Sequence, residues 1–128
     1  MDIGFKTPGD GWLSSVEDMA KFEVAMLKNR IVSGTTRKLM WTRQKTADGK
    51  ETPYGLGWAV DDDFPSTVSH GGGEWGTSTF IMMAPEQRGG VVVMVNLNGA
   101  NANDLGLELF KIILGSKPSA RALSPGVR

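Results

Sequence analysis

Thr67-Val-Ser-His-Gly-Gly-Gly-Glu-Trp-Gly-Thr-Ser-Thr-Phe-Ile-Met-Met-Ala-Pro-Glu-Gln-Arg-Gly-Gly-Val-Val-Val-Met-Val-Asn96 is the stretch on which the fold turns. Thr67–His70 reads as a short strand running into Gly71-Gly72-Gly73. Thr77–Ala84 reads as a second strand, and Pro85–Gly90 as a hairpin loop. Val91–Val95 is apolar at every position, the pattern of a central strand buried on both faces. Upstream, Tyr54-Gly-Leu-Gly-Trp-Ala-Val60 alternates large and small residues, which suits a strand against which something packs closely. Asp61-Asp62-Asp63 and Pro65 make a turn between the two blocks.

Helical patterns flank these strands. Ser14 and Glu17 fit a capping box, with Ser15 and Asp18 offering a second register. Val16, Met19, Ala20, Phe22, Met26 and Leu27 then predict an amphipathic helix over about residues 15–29. Ser33 caps a short second helix over roughly 35–42. The last helix spans Leu105 to Leu114, with Leu105, Leu109 and Ile112/Ile113 on its apolar face and Gly115 as C-cap. Residues 1–13 read as a Gly/Pro loop and 116–128 as a disordered tail. Helices, hairpin-linked strands and a final helix predict an α+β domain over residues 1–115, an antiparallel sheet with flanking helices.

Composition narrows the function. The 128 residues suffice for one domain, or a piece of one, that buries roughly 65–70% of its unfolded surface. Lys+Arg and Asp+Glu are 14 each, so no positive excess points to nucleic acid or an anionic membrane surface. Apolar runs such as Val91–Val95 are far too short to cross a bilayer. The first dozen residues lack the pattern of a signal peptide. Cysteine is absent, and His70 is the single histidine, so thiolate chemistry and a histidine-rich metal site are excluded within the chain. Asp61-Asp62-Asp63 reads as a turn rather than a cation site, and no metal is expected. A Ser-His-Asp triad has only His70 to build on.

Four blocks, in order, carry a resemblance. They are Gly11-Trp-Leu-Ser-Ser-Val-Glu-Asp-Met-Ala-Lys-Phe22, Tyr54-Gly-Leu-Gly-Trp58, Ser69-His-Gly-Gly-Gly73, and Phe80-Ile-Met-Met-Ala-Pro-Glu86 leading to Gly90-Val-Val-Val-Met-Val-Asn96. Over about residues 9–114 the chain resembles the C-terminal part of the class C β-lactamase family in its broad sense, which includes DD-peptidases and penicillin-binding-protein-like esterases. The resemblance implies the C-terminal part of the β-lactamase/transpeptidase-like fold and hydrolysis of an ester or amide through an acyl-serine. The substrate would be a small-molecule ester or amide, or a peptidoglycan-like one, and no cofactor is implied. Members of the family are often periplasmic or secreted, and the compartment of this chain stays open.

Three motifs build the active site in that family: S-x-x-K with the acylated serine, Y-x-N or Y-x-S with a relay tyrosine, and K-T-G or H-x-G on a strand. Only the third occurs here, as His70-Gly71-Gly72. No serine of the chain begins S-x-x-K, and Tyr54, the single tyrosine, is followed by Gly-Leu. The resemblance therefore implies that the chain lacks the nucleophile-bearing part and is inactive alone. It assigns one oxyanion donor to the N–H of Gly73. It gives His70 the place of the motif's Lys or His, tilting the reading toward an esterase or peptidase-like member. Glycine at 71, 72 and 73 lets an acyl group lie close against the strand. Gly71, Trp75 and Glu74 are candidate substrate contacts, Trp75 as a rim to the pocket. Trp12 and Trp58 read as packing residues, Ser14-Ser15 as a helix cap and Asn96 as a strand end.

Two other enzyme readings fail. His70-Gly-Gly-Gly73 also spells the oxyanion motif of some lipases, but Gly76-Thr-Ser78-Thr-Phe80 is no G-x-S-x-G elbow and no histidine follows it. Gly55-Leu-Gly57 is neither a dinucleotide nor a phosphate loop. The non-enzyme alternative is a free-standing noncatalytic pseudoenzyme or binding module that dimerises through its open sheet. On either reading a sheet edge is left uncovered. The expected partner is a second copy, or a complementing N-terminal segment.

Overall fold

The computed structural model describes residues 11–60, 64 and 66–114. The expectations for Asp61-Asp62-Asp63, Pro65, Gly115, the tail and residues 1–10 lie outside the described residues. The elements are α1 (Val16–Leu27), α2 (Gly34–Met40), β1 (Ala59–Val60), β2 (Val68–Glu74), β3 (Thr77–Ala84), β4 (Gly89–Val95) and α3 (Ala102–Leu114). The strands form one antiparallel sheet in the order β1-β2-β3-β4. This is the α+β class that the sequence predicts.

Alternation along β3 divides the core in two. Phe80, Met82 and Ala84 point to one face, where they pack with Val91, Val93, Phe64, Ala102 and Phe110 beneath α3. Ile81 and Met83 point to the other, where they meet Val68, Trp58 and Met26, with Phe22 and Met40 from α1 and α2 against them. The sheet is thus the middle layer between α3 and the α1–α2 pair.

Both N-terminal helices end as local chemistry dictates. Ser15 Oγ, not Ser14, accepts from Asp18 N (3.2 Å), so α1 uses the second capping register. Its C-terminus is closed by Asn29 at φ 55°, with Asn29 N donating to Met26 O and Arg30 N to Ala25 O. These two bonds form a Schellman closure, in which asparagine tolerates the left-handed conformation. Arg37 of α2 donates to Met26 O (3.1 Å) and Leu27 O (2.5 Å), tying the two helices together at that end.

Four sequence expectations are corrected. Residues 54–58 do not form a strand: only Ala59–Val60 is extended, because a turn with Gly57 at φ 81° folds the segment back on itself. The three glycines do not follow a strand but lie inside β2, which pairs with β3 through to Glu74↔Thr77. Among the described strands Val91–Val95 is not central: β4 is the outer one, and its apolarity on both faces reflects cover by α3 and α1. The fourth concerns α3, which buries Ala102, Gly106 and Phe110, one residue per turn, leaving Leu105, Leu109, Ile112 and Ile113 exposed. Gly106 explains the choice: a Cβ there would run into the ring of Phe80, so the helix can approach the sheet only along this line.

The apolar stripe of α1 also holds an acid. Glu23 is 7% exposed, and its carboxyl lies beside Gly90. Burial pushes its pKa from the ordinary 4.5 up to about 7. A carboxyl that holds its proton better folded than unfolded stabilises the fold below pH 4.5, and that stabilisation is lost as pH rises to 7. We expect a loss of about 3 kcal/mol across this window, at 1.36 kcal/mol per pKa unit. Asp18 and Asp48, held low by Lys21 and Lys50, act only in more acid solution. Urea melts at pH 5 and pH 7.5 check this: the wild type loses stability and Glu23→Gln stays level. Parallel profiles would contradict it.

Candidate functional site

The site is built on one edge of β2. β1 covers that edge only through Ala59↔Ser69 and Val60↔Val68, so beyond Ser69 no described strand lies against it. The hydrogen bonds of β1 reveal which groups of β2 face outward. Val60 N donates to Pro53 O (3.0 Å), and Val60 O accepts from Arg43 Nη2 (3.0 Å), so Val60 points its backbone away from β2. In an extended strand N–H and C=O alternate sides, so Ala59 faces β2 and Ser69 faces β1. Carried two and four residues on, the alternation aims the N–H and C=O of Gly71 and Gly73 at the uncovered edge. His70, Gly72 and Glu74 pair toward β3.

The glycines differ in their surroundings. A Cβ on Gly71 would come 2.9 Å from Asn103 Oδ1 of α3, and one on Gly72 would come 2.7 Å from Thr79 Oγ1. At Gly73 the nearest atom would be Thr77 O at 3.8 Å, so that position has room. An open groove of about 440 Å³ runs past Gly73, Trp75, Ser78 and Asn98 on the α3 side. It continues toward Gly71 and Asn103. Ser78 Oγ accepts from Ala102 N (3.3 Å), fixing the start of α3 at the end of the groove.

The six residues singled out from sequence fall together: His70, Gly71, Gly72, Gly73 and Glu74 within β2, and Trp75 in the two-residue turn to β3. They divide between faces. His70 and Glu74 share the face of Ile81, toward α1 and α2, whereas the groove lies on the other. Trp75 is 89% exposed at the tip of the turn, where Gly76 takes φ 80°. The imidazole of His70 lies on the exposed side of β2 and has no hydrogen-bond partner among the described residues. Its neighbours are two rings that sequence reasoning did not connect to it: Tyr54 and Trp58, each with its centroid 6.4 Å away. The spacing of two aromatics around Gly55-Leu-Gly57 was the available signal, since a tight turn returns both to one side. Asn103 and Glu23 were missed as well, and no local pattern marks either.

The outward N–H of Gly73 makes a stability prediction in the chain itself. Proline removes an N–H, which matters only where that N–H bonds within the ladder. Gly72→Pro should cost about 1–3 kcal/mol, the penalty of a ladder partner left unbonded, whereas Gly73→Pro loses no ladder bond and should cost much less. Thermal melts of both variants check this, and equal losses would mean that the edge is oriented otherwise.

Among the described residues no group of three or more acidic or imidazole side chains converges to hold a metal, and no helix is long and apolar enough to cross a membrane. A family model described as Beta-lactamase matches residues 1–112. Comparison with curated proteins gives no match.

Proposed function

The chain belongs to the β-lactamase family, and from that premise we propose that it is the C-terminal part of a class C-like serine hydrolase, supplying the third-motif strand and one oxyanion donor. The observation that carries this reading is the edge of β2 that no described strand covers beyond Ser69, where Gly71 and Gly73 present backbone groups with no Cβ in the way. A tetrahedral oxyanion needs fixed N–H donors about 3 Å away. Gly73 is the donor from this chain. The acylated serine, its lysine and the relay tyrosine come from a preceding segment, and so does the second donor. The serine attacks the ester or amide carbonyl, the leaving group departs as the tetrahedral adduct collapses, and water then hydrolyses the acyl-enzyme. His70 at the lysine position favours an esterase or peptidase-like substrate over a β-lactam.

The coding frame upstream of residue 1 tests this. The expected frame encodes S-x-x-K and then Y-x-N, and its product hydrolyses a p-nitrophenyl ester while the present chain does not. An in-frame stop just before residue 1, or turnover by the chain alone, would overturn the reading.

One observation favours the second reading, a noncatalytic module that dimerises. Asn103 looks toward Gly71 of β2, and at about 100° per residue Leu105, Leu109 and Ile112 fall on the opposite flank of α3, over the outer edge of β4. They are 49%, 36% and 76% exposed. A strand edge that no described strand pairs, beneath an apolar flank, suits an added strand, from a complementing segment or from a second copy. Sedimentation of the isolated chain should show self-association that Leu105→Glu with Ile112→Glu abolishes. A monomer at high micromolar concentration would remove the dimer reading.

A further inference from the structure

We propose that Tyr54 and Trp58 are positioning residues that clamp the imidazole of His70 in one rotamer; the functional meaning of this clamp rests on β2 being the site strand, whereas the clamp itself does not. His70 lies on an exposed strand face, where a side chain ordinarily samples three staggered wells. Here two rings stand against it, Tyr54 at 67° and Trp58 at 82° to its plane, both at 6.4 Å. These are edge-to-face contacts within the favourable range for aromatic pairs.

The two walls are themselves held. Trp58 is buried and packs edge-to-face on Trp41 (6.3 Å, 77°), whose ring lies under the Arg37 guanidinium at 5.0 Å. Tyr54 is 40% exposed, but its backbone is fixed: its carbonyl accepts from Gln44 N (2.9 Å) and Thr52 Oγ1 (2.9 Å). The turn between them is locked onto the end of α2. Gly55 N donates to Trp58 O (2.7 Å), Leu56 N donates to Met40 O (2.8 Å), and a Cβ on Gly55 would run into the same Met40 carbonyl. The Tyr54–Trp58 block is therefore a rigid bracket standing on α2, and its two rings meet the side chain at the start of the glycine edge. A ring fixed before substrate arrives presents its nitrogens in one direction at no further cost in conformational entropy.

His70 is the single histidine, so selective histidine labelling gives one ring to follow by NMR in the chain as it stands. Three-bond couplings to Cγ report its χ1 populations. The wild type should hold one rotamer above about 0.8, and Tyr54→Leu should bring it toward about one third, the value for three open wells. Tyr54→Phe keeps the ring and should keep the rotamer. Trp58→Phe, which leaves a smaller wall, should fall between. The melting temperature of Tyr54→Leu should stay near that of the wild type, because Tyr54 lies outside both core clusters. An averaged His70 in the wild type, or an unmoved rotamer in Tyr54→Leu, would overturn the clamp. The measurement needs no turnover, so an ordered His70 in a chain whose longer form proves inert would sink the hydrolase reading and leave the clamp standing.

Discussion

Gly73→Pro in the proposed longer hydrolase is expected to lower the acylation rate by about 10²–10³-fold, the loss typical of one oxyanion-hole donor. The substitution isolates that donor unusually well. The N–H of Gly73 points to the uncovered edge, so proline there breaks no bond to β3. The residue before it, Gly72, is already extended, as a residue preceding proline must be. Gly73→Ala is the matching control. It keeps the N–H, and its Cβ meets nothing nearer than Thr77 O at 3.8 Å. Stopped-flow acylation with an ester substrate should therefore show a large defect for proline and a much smaller one for alanine. Comparable defects would assign the effect to crowding against the acyl group and not to the donor.

A large loss of stability is expected at Gly90→Ala. A Cβ there would collide with the main-chain oxygen of Met82 and come 2.6 Å from Glu23 Oε1 and 2.9 Å from its Cδ. The first obstacle is backbone in the central strand and cannot swing aside. The second is a carboxyl wedged between α1 and the sheet. Relief requires β4 to move off β3 or Glu23 to leave its niche. The cost should reach about 2–3 kcal/mol, the upper part of the usual overpacking range. For a domain of about 100 residues that lowers the melting temperature by roughly 10–20 °C. Gly89→Ala is the control, since nothing lies within 4 Å of a Cβ at that neighbouring position. A Gly90→Ala variant that melts with the wild type would mean that the α1–β4 contact is loose.

Much of the fold was legible in the sequence because it rests on local signals. The limits of β3 follow from the glycine and proline turn signals on either side of it, and α1 follows from its serine cap and periodicity. The errors have a common cause, which is that composition does not say what lies on each side of an element. Val91–Val95 is apolar throughout, and being the outer strand under two helices leaves the same trace as being central. In α3 the side with the most hydrophobic residues is not the side that packs. A ring in β3 and a missing Cβ at Gly106 decide the contact, and the leucine flank is left over β4. Such a flank is spelled like a core face, and only the sheet beneath it reveals the difference.

The site divides in the same way. The glycine run and His70 were visible as a motif. Which amides face outward was not, because that depends on Val60 turning its backbone toward Pro53. The bracket around His70 was hidden for a related reason: Tyr54-Gly-Leu-Gly-Trp58 looks like a strand, and it is a turn bent by Gly57 at φ 81° and seated on α2 by the absence of a side chain at Gly55.

The central claim is that this chain lends a strand and a donor to a serine that lies outside it. Labelling with a fluorophosphonate, followed by mass spectrometry of the modified peptide, tests this most directly. The present chain should remain unmodified, and the product of the longer frame should carry one adduct, on the serine of an S-x-x-K sequence preceding residue 1. An adduct on any serine between residues 11 and 114 would contradict the account.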